Sequence, residues 1–210
     1  MKIIKKTGKK MVKKKRLMVW LVIAAAVFVT GTAAFWHWIG QPCVFREDVR
    51  GKGIYVEDIK RLEEEEKDGA MGILRIAGWR TEKEQSVFSV STGRKERAEV
   101  VGVYGPMELM EDRKGQIGRL GLDVEGEYCV LSEKLARDLF GSTDILGEWV
   151  GMGKRKFLVV GVTKKEETVL WIPIGEGEVE MLAVEMDSRL RNGAARVREI
   201  VTNITNTGQP

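Results

Sequence analysis

From Leu17 to Phe45 the chain has no Asp, Glu, Lys or Arg, and residues 1–16 carry nine Lys/Arg and no acid. The run Leu17–Ile39 reads LMVWLVIAAAVFVTGTAAFWHWI. As a helix rising about 1.5 Å per residue it would reach roughly 35 Å, enough to cross a hydrocarbon core of about 30 Å. Thr30, Gly31 and Thr32 weaken a helix in water, but a membrane span tolerates them. The expected anchor residues are Leu17, Phe28 and Ile39, with Trp20 near one boundary and Trp36 and Trp38 at the other, where indoles favour the interface. The cationic tail 1–16 should stay cytoplasmic and touch anionic lipid. Everything after about Gly40 is then extracytoplasmic, in a single-pass protein of the cell membrane. A cleaved signal peptide is the alternative, with Thr32-Ala33-Ala34 as its site, but the span is long for such a peptide and aromatic residues follow the site directly. Gly40-Gln41-Pro42 before Cys43 does not fit a lipoprotein signal.

The distribution of charge then excludes classes of function. The net charge is +4, yet beyond the tail 26 Lys/Arg face all 31 Asp/Glu, leaving −5 on the outer part. A nucleic-acid binder is basic on its folded domain, so no nucleic-acid partner is expected. The single His, His37, lies in the apolar run, away from any folded site. Metal sites built on His clusters and nucleophile–His pairs are therefore not available. The four acids Glu63–Glu66 suggest a cation site, but consecutive helical residues point about 100° apart, so they read as a solvated face. Gly147–Arg155 has the wrong glycine spacing for a phosphate loop and reads as a hairpin turn. No catalytic, metal or cofactor-binding residue is assigned. Cys43 and Cys129 are expected as two thiols, Cys129 being a small core residue; a bridge between them is the other possibility.

The expected organisation is a basic tail (1–16), a transmembrane helix (17–39), a linker (40–53), an extracytoplasmic domain (54–205) and a polar tail (206–210). Val56, Ile59 and Leu62 define one face of a helix over 56–67. Strands are expected at 73–79, 87–91 and 98–104, then a glycine-rich loop at 116–126. A strand over 127–131 leads to Ser132 as N-cap of a helix over 133–140, with Gly141 as its stop. Two runs, 148–152 and 156–162, join as a hairpin, the second apolar on both faces and so central. Strands at 168–172 and 181–186 follow, Pro173 ending the first. Leu190, Ala194, Val197, Val201 and Ile204 give a final helix over 188–202 an apolar stripe that packs on the sheet. The fold class is α+β, a mixed sheet with a few helices. The tetrapeptide Val100–Val103 recurs as Val159–Val162, by chance or through related half-domains.

The residues Leu131-Ser132-Glu133, Leu135, Ala136, Leu139-Phe140-Gly141, then Leu146-Gly147, then Phe157 and Val159-Val160-Gly161-Val162, form a pattern of their own. It resembles the extracytoplasmic (periplasmic) core domain of MacB-like ABC transporter permeases, in which a strand leads to LSE-x-x-A-x-x-LFG, an LG turn and F-x-VVGV. The resemblance implies a non-enzymatic part, or split remnant, of such a permease system, without the C-terminal membrane-spanning part. Its outer domain would couple or dock to other permease subunits and move as a separate cytoplasmic ATPase works. It implies no cofactor and leaves the oligomeric state open. A stand-alone anchored binding or regulatory domain is the second reading. An anchored enzyme using carboxylates or Lys is the third, and no acid pair has a spacing that favours it.

Overall fold

The computed structural model describes residues 42–68, 71–110, 116–118, 126–187 and 192–207. The expected membrane span with Leu17, Trp20, Phe28, Trp36, Trp38 and Ile39, the basic tail and His37 lie outside the described residues. Among the described residues no helix is long and apolar enough to cross a membrane.

In chain order the elements are β1 (Cys43–Asp48), α1 (Val56–Glu65), β2 (Ile73–Ser89), β3 (Lys95–Tyr104), β4 (Gln116–Gly118), β5 (Tyr128–Ser132), α2 (Glu133–Phe140), β6 (Trp149–Met152), β7 (Arg155–Thr163), β8 (Val169–Pro173), β9 (Met181–Met186) and α3 (Gly193–Thr207). Short 3-10 turns occupy Glu66–Asp68 and Met107–Leu109. The strands form one mixed sheet ordered β1-β9-β2-β3-β8-β5-β7-β4, with β3–β8 and β5–β7 parallel. This is the expected α+β class.

Strand β6 pairs with both β2 and β7, so β2, β3, β8, β5, β7 and β6 close into a ring. Side-chain alternation then sorts inside from outside. Ala98, Val100, Cys129, Leu131, Leu170 and Ile172 share one buried core with Val87, Val150, Phe157 and Val159 from the other strands of the ring. Their immediate neighbours Val101, Val130, Val169 and Trp171 form a separate core on the outer face. Leu135, Ala136 and Leu139 of α2 join the inner core, so the helix plugs the ring.

The other half of the sheet is covered by two helices. Val56 and Ile59 of α1 and Val197 and Val201 of α3 pack on Ile76, Leu182, Val184 and Met186. Helix α1 starts where the Asp58 carboxylate accepts the Tyr55 N–H at 3.0 Å, with Glu57 and Asp58 in the first turn favoured by the helix dipole. Close approach of α1 is possible because Gly78 lies beneath it. A Cβ there would sit 2.6 Å from Ile59 Cδ1 and 3.0 Å from Val179 Cγ1.

Several expectations need correction. The stretch 40–53, read as a linker, contains β1, which pairs residue for residue with β9 from Cys43↔Met186 to Asp48↔Met181. Its alternation is weak because it is an outer strand, with only half-buried apolar side chains. The two strands expected at 73–79 and 87–91 are one 17-residue strand. The charged segment between them is not a turn but an exposed stretch of β2 with a bulge, where register slips between Glu82 and Gln85 and Glu84 takes φ +58. The expected loop 116–126 includes β4 on β7, while 119–125 lie outside the described residues. Helix α3 begins at Gly193 and runs to Thr207, later than expected at both ends and into the expected polar tail. On its stripe Val197 and Val201 are buried and Ile204 packs beside them, but Ala194 is exposed and Leu190 lies outside the described residues. Glu66 does not belong to a solvated face. It is buried and accepts the N–H groups of Met71 and Ile73 at 2.8 and 2.9 Å, turning the chain into β2.

Candidate functional site

The segment from Tyr128 to Thr163 builds half of the ring and its plug, and it begins with a buried run. Tyr128–Ser132 lies between β7 and β8, with Leu131 fully buried. Ser132, also fully buried, ends the strand with its Oγ accepting Leu135 N–H at 3.2 Å and Val169 N–H at 3.1 Å. One hydroxyl thus caps α2 and ties it to the start of β8. The tie matters because β5 and β8 pair only at Val130↔Trp171 and Leu131↔Leu170. Gly141 closes the helix in the left-handed region at φ +78, donating to Arg137 O at 2.8 Å.

The residues carrying the sequence pattern fall in different environments. Leu135, Ala136, Leu139, Phe157 and Val162 are buried in the inner core. Phe140 is only half-buried against it, because it is the last helical residue and lies at the edge of the plug. Leu146 is 46% exposed, and Gly147 takes φ +87 in the turn before β6. Val160 is half-buried on the outer face and Gly161 is buried. The β5–β7 register slips at this point, from Cys129↔Val159 to Val130↔Gly161. Val160 is therefore the bulged residue of the VVGV run. In the earlier copy of the run, Gly102 instead makes room for a neighbour, since a Cβ there would stand 2.6 Å from Ile174 Cγ2.

The cysteines lie on separate strands, Cys43 exposed on β1 and Cys129 buried on β5, with no disulfide between them. Burial pushes the Cys129 thiol pKa well above its ordinary value, so the thiolate is suppressed. Among the described residues no group of three or more His, Cys, Asp or Glu is placed to hold a metal ion.

A cleft of about 510 Å³ lies at the end of the ring away from α2, and sequence reasoning missed it. Arg80, Glu127, Arg155, Pro173, Ile174 and Glu176 line it. The lining comes from the middle of β2, the starts of β5 and β7, and the end of β8 with the loop after it, all far apart in sequence. The one local signal was a glycine, Gly102, inside an otherwise bulky strand, which marks close approach of another group.

This ring and plug, extended by a sheet under two helices, defines a class of α+β domain. The sequence matches the MacB-like periplasmic core domain over residues 22–204, and the chain belongs to that family. Two solved structures share the fold. The periplasmic region of MacB from Actinobacillus actinomycetemcomitans is 17% identical with a TM-score of 0.59, the match covering 78% of this chain and 83% of that one. The extracellular domain of the noncanonic ABC-type transporter YknZ from Gram-positive bacteria is 18% identical with a TM-score of 0.55, covering 78% and 91%. No curated protein matches the sequence.

Proposed function

We propose that this chain is a membrane-anchored, non-enzymatic component of a MacB-like ABC permease system, its outer domain coupling or docking to partner subunits served by a separate cytoplasmic ATPase. Membership of the family supports an extracytoplasmic, transporter-associated domain. One structural observation carries the mechanical part of the reading. Cys43, the first residue of β1, pairs with Met186, which in turn pairs with Ile73 at the start of β2. Strand β2 then runs unbroken into the ring, where Val87 pairs with Met152. At about 3.3 Å per residue its 17 residues extend roughly 50 Å. A displacement at the Cys43 end is therefore carried along one hydrogen-bonded strand, through its bulge at Glu82–Gln85, into the ring. Helix α3 starts at the same end, where Gly193 lies under Phe45. The anchor itself is the uncharged run Leu17–Ile39, oriented by the nine cations before it.

The placement is tested with the exposed Cys43 thiol as a natural reporter. A membrane-impermeant maleimide added to intact protoplasts or spheroplasts should label it, and added protease should digest the domain beyond Gly40. Protection from both reagents until the membrane is opened would overturn the orientation. A mature chain beginning near Phe35 would overturn the anchor.

A further inference from the structure

We propose that the cleft at the open end of the ring binds a zwitterionic ligand, a short peptide or amino acid offering both a free carboxylate and a free ammonium group. The lining joins two cations, Arg80 and Arg155, to two anions, Glu127 and Glu176. Arg80 reaches no closer than 3.6 Å to a carboxylate, Glu82 Oε1, and Arg155 lies with its guanidinium 4.8 Å from the centre of the Phe157 ring. No hydrogen bond among the described residues engages either guanidinium or the carboxylates of Glu127 and Glu176. The charged heads are open to a ligand, while the frame that carries them is fixed.

That frame is built by close contacts. The stem of Arg80 passes Gly102, where a Cβ would come within 3.7 Å of its Cγ, and its guanidinium lies on Gly177, where a Cβ would fall 2.3 Å from Nη1. Gly177 is in the left-handed region at φ +99, so any side chain would be strained there as well as collide. The loop bearing Glu176 is held by Lys60 Nζ donating to Gly175 O at 2.9 Å and by Val56 N–H donating to Gly177 O at 3.0 Å. Glu127 is fixed through its carbonyl, which accepts Leu158 N–H at 2.8 Å. Pro173 is buried and Ile174 half-buried, giving the cleft an apolar wall.

The ligand class follows from the balance of charge. The two cations and two anions of the lining cancel, and Glu82, paired with Arg80 at 3.6 Å, adds one further negative charge at the rim, so the cleft gives no positive long-range field to gather polyanions. A guanidinium fork takes a carboxylate in two parallel hydrogen bonds, and an ammonium donates three to carboxylate oxygens. A zwitterion satisfies both halves at once, whereas a phosphate would meet Glu127 and Glu176 as like charges. The volume falls in the range of small-ligand pockets, about 300–1,000 Å³. This inference does not depend on the transport partnership proposed above.

The test is calorimetric titration of the full chain in detergent micelles with unblocked tri-alanine, its N-acetyl and C-amide forms, free alanine and inorganic phosphate. Saturable binding of unblocked tri-alanine or alanine is expected, the tighter of the two marking peptide or amino acid as the source. Amidation should weaken it about tenfold, as should Arg80→Gln or Arg155→Gln, and amidation should add little further loss in those variants. Acetylation and Glu127→Gln or Glu176→Gln should pair in the same way. Arg80→Lys keeps the stem over Gly102 and separates loss of the fork from loss of the frame, so it should also bind weakly while unfolding at an unchanged midpoint. No saturable binding of either unblocked ligand, equal affinity for blocked forms, or tighter binding of phosphate would overturn the proposal.

Discussion

Replacing Ser132 by Ala removes one oxygen and tests how the ring is held together. The hydroxyl is fully buried and receives two N–H groups, Leu135 at 3.2 Å and Val169 at 3.1 Å. Loss of an N-cap costs about 1 kcal/mol, within a range of about 0.5–2. The Val169 N–H, buried at the start of β8, would also lose its acceptor, and an unsatisfied buried donor costs about 1–3 kcal/mol. The side chain shrinks by a single atom, so the cavity contribution is small beside these two. The total is roughly 2–4 kcal/mol, a large share of a domain stability of about 5–15 kcal/mol. Urea unfolding of the fragment from Pro42 onward, followed by tryptophan fluorescence, should show this loss at an unchanged slope. Ser142→Ala is the control. Its hydroxyl accepts Asp144 N–H at 3.0 Å in an exposed turn, and its removal should change stability by less than about 0.5 kcal/mol. Equal effects for the two variants would refute the reading that Ser132 joins α2 to the strand ring.

Three further outcomes follow from the same contacts. Leu139→Ala should cost about 2–5 kcal/mol because the side chain is fully buried, and Phe140→Ala should cost less than the roughly 3–5 kcal/mol of a fully buried ring; a loss below about 2 kcal/mol for Leu139→Ala, or of about 3 kcal/mol or more for Phe140→Ala, in urea unfolding would contradict the packing of the plug. Gly105→Ala should destabilise by roughly 3 kcal/mol or more, since it combines φ +81 with a Cβ 2.4 Å from Ile76 O, whereas Gly93→Ala, at φ +71 in open space, should cost about 1 kcal/mol. The Asp48 carboxyl, hydrogen-bonded by the Arg50 side chain and backbone, is held down at about 2 from an ordinary 3.8, and Arg50→Gln should bring its NMR titration midpoint back up. Because the folded value is lowered, the contribution is fully present above about pH 4 and is lost as pH falls through about 2, and no movement of the midpoint in the variant would exclude this cause.

The parts of the fold legible in the sequence are those whose signals are local. Ser132, the Leu135/Ala136/Leu139 face and Gly141 specify α2 from cap to stop, and the structure has the helix at those bounds. The mostly apolar run Met181–Met186 reads as a strand, and all but its first residue are buried, Glu185 among them in an ion pair with Arg75 at 2.6 Å. Legibility fails where partners come from afar. Cys43–Asp48 becomes a strand only because β9 supplies its hydrogen bonds, and its own alternation is that of a half-exposed edge. The segment Arg80–Ser86 looks like a charged turn because its outer side chains are solvated, yet β3 pairs with it on either side of one bulge. The cleft was illegible for the same reason: Arg80, Glu127, Arg155 and Glu176 are ordinary surface charges until the middle of β2, the starts of β5 and β7 and the loop after β8 meet. The family pattern was visible because it is concentrated in one segment, Tyr128–Val162, of local helix and hairpin signals. Its LG turn nevertheless leaves Leu146 in solvent, so that motif position serves the chain's path rather than its core.

The central claim is that this chain works as one part of a larger permease system. Its most direct test is extraction of the tagged full chain from its host membrane in mild detergent, followed by identification of the proteins that elute with it and assay of the eluate for ATP hydrolysis. An ATPase subunit and a protein with several membrane spans should co-elute in constant ratio, with vanadate-sensitive hydrolysis that the purified chain lacks. Elution of the chain by itself, under conditions that keep another ABC transporter of the same membrane intact, would contradict the account.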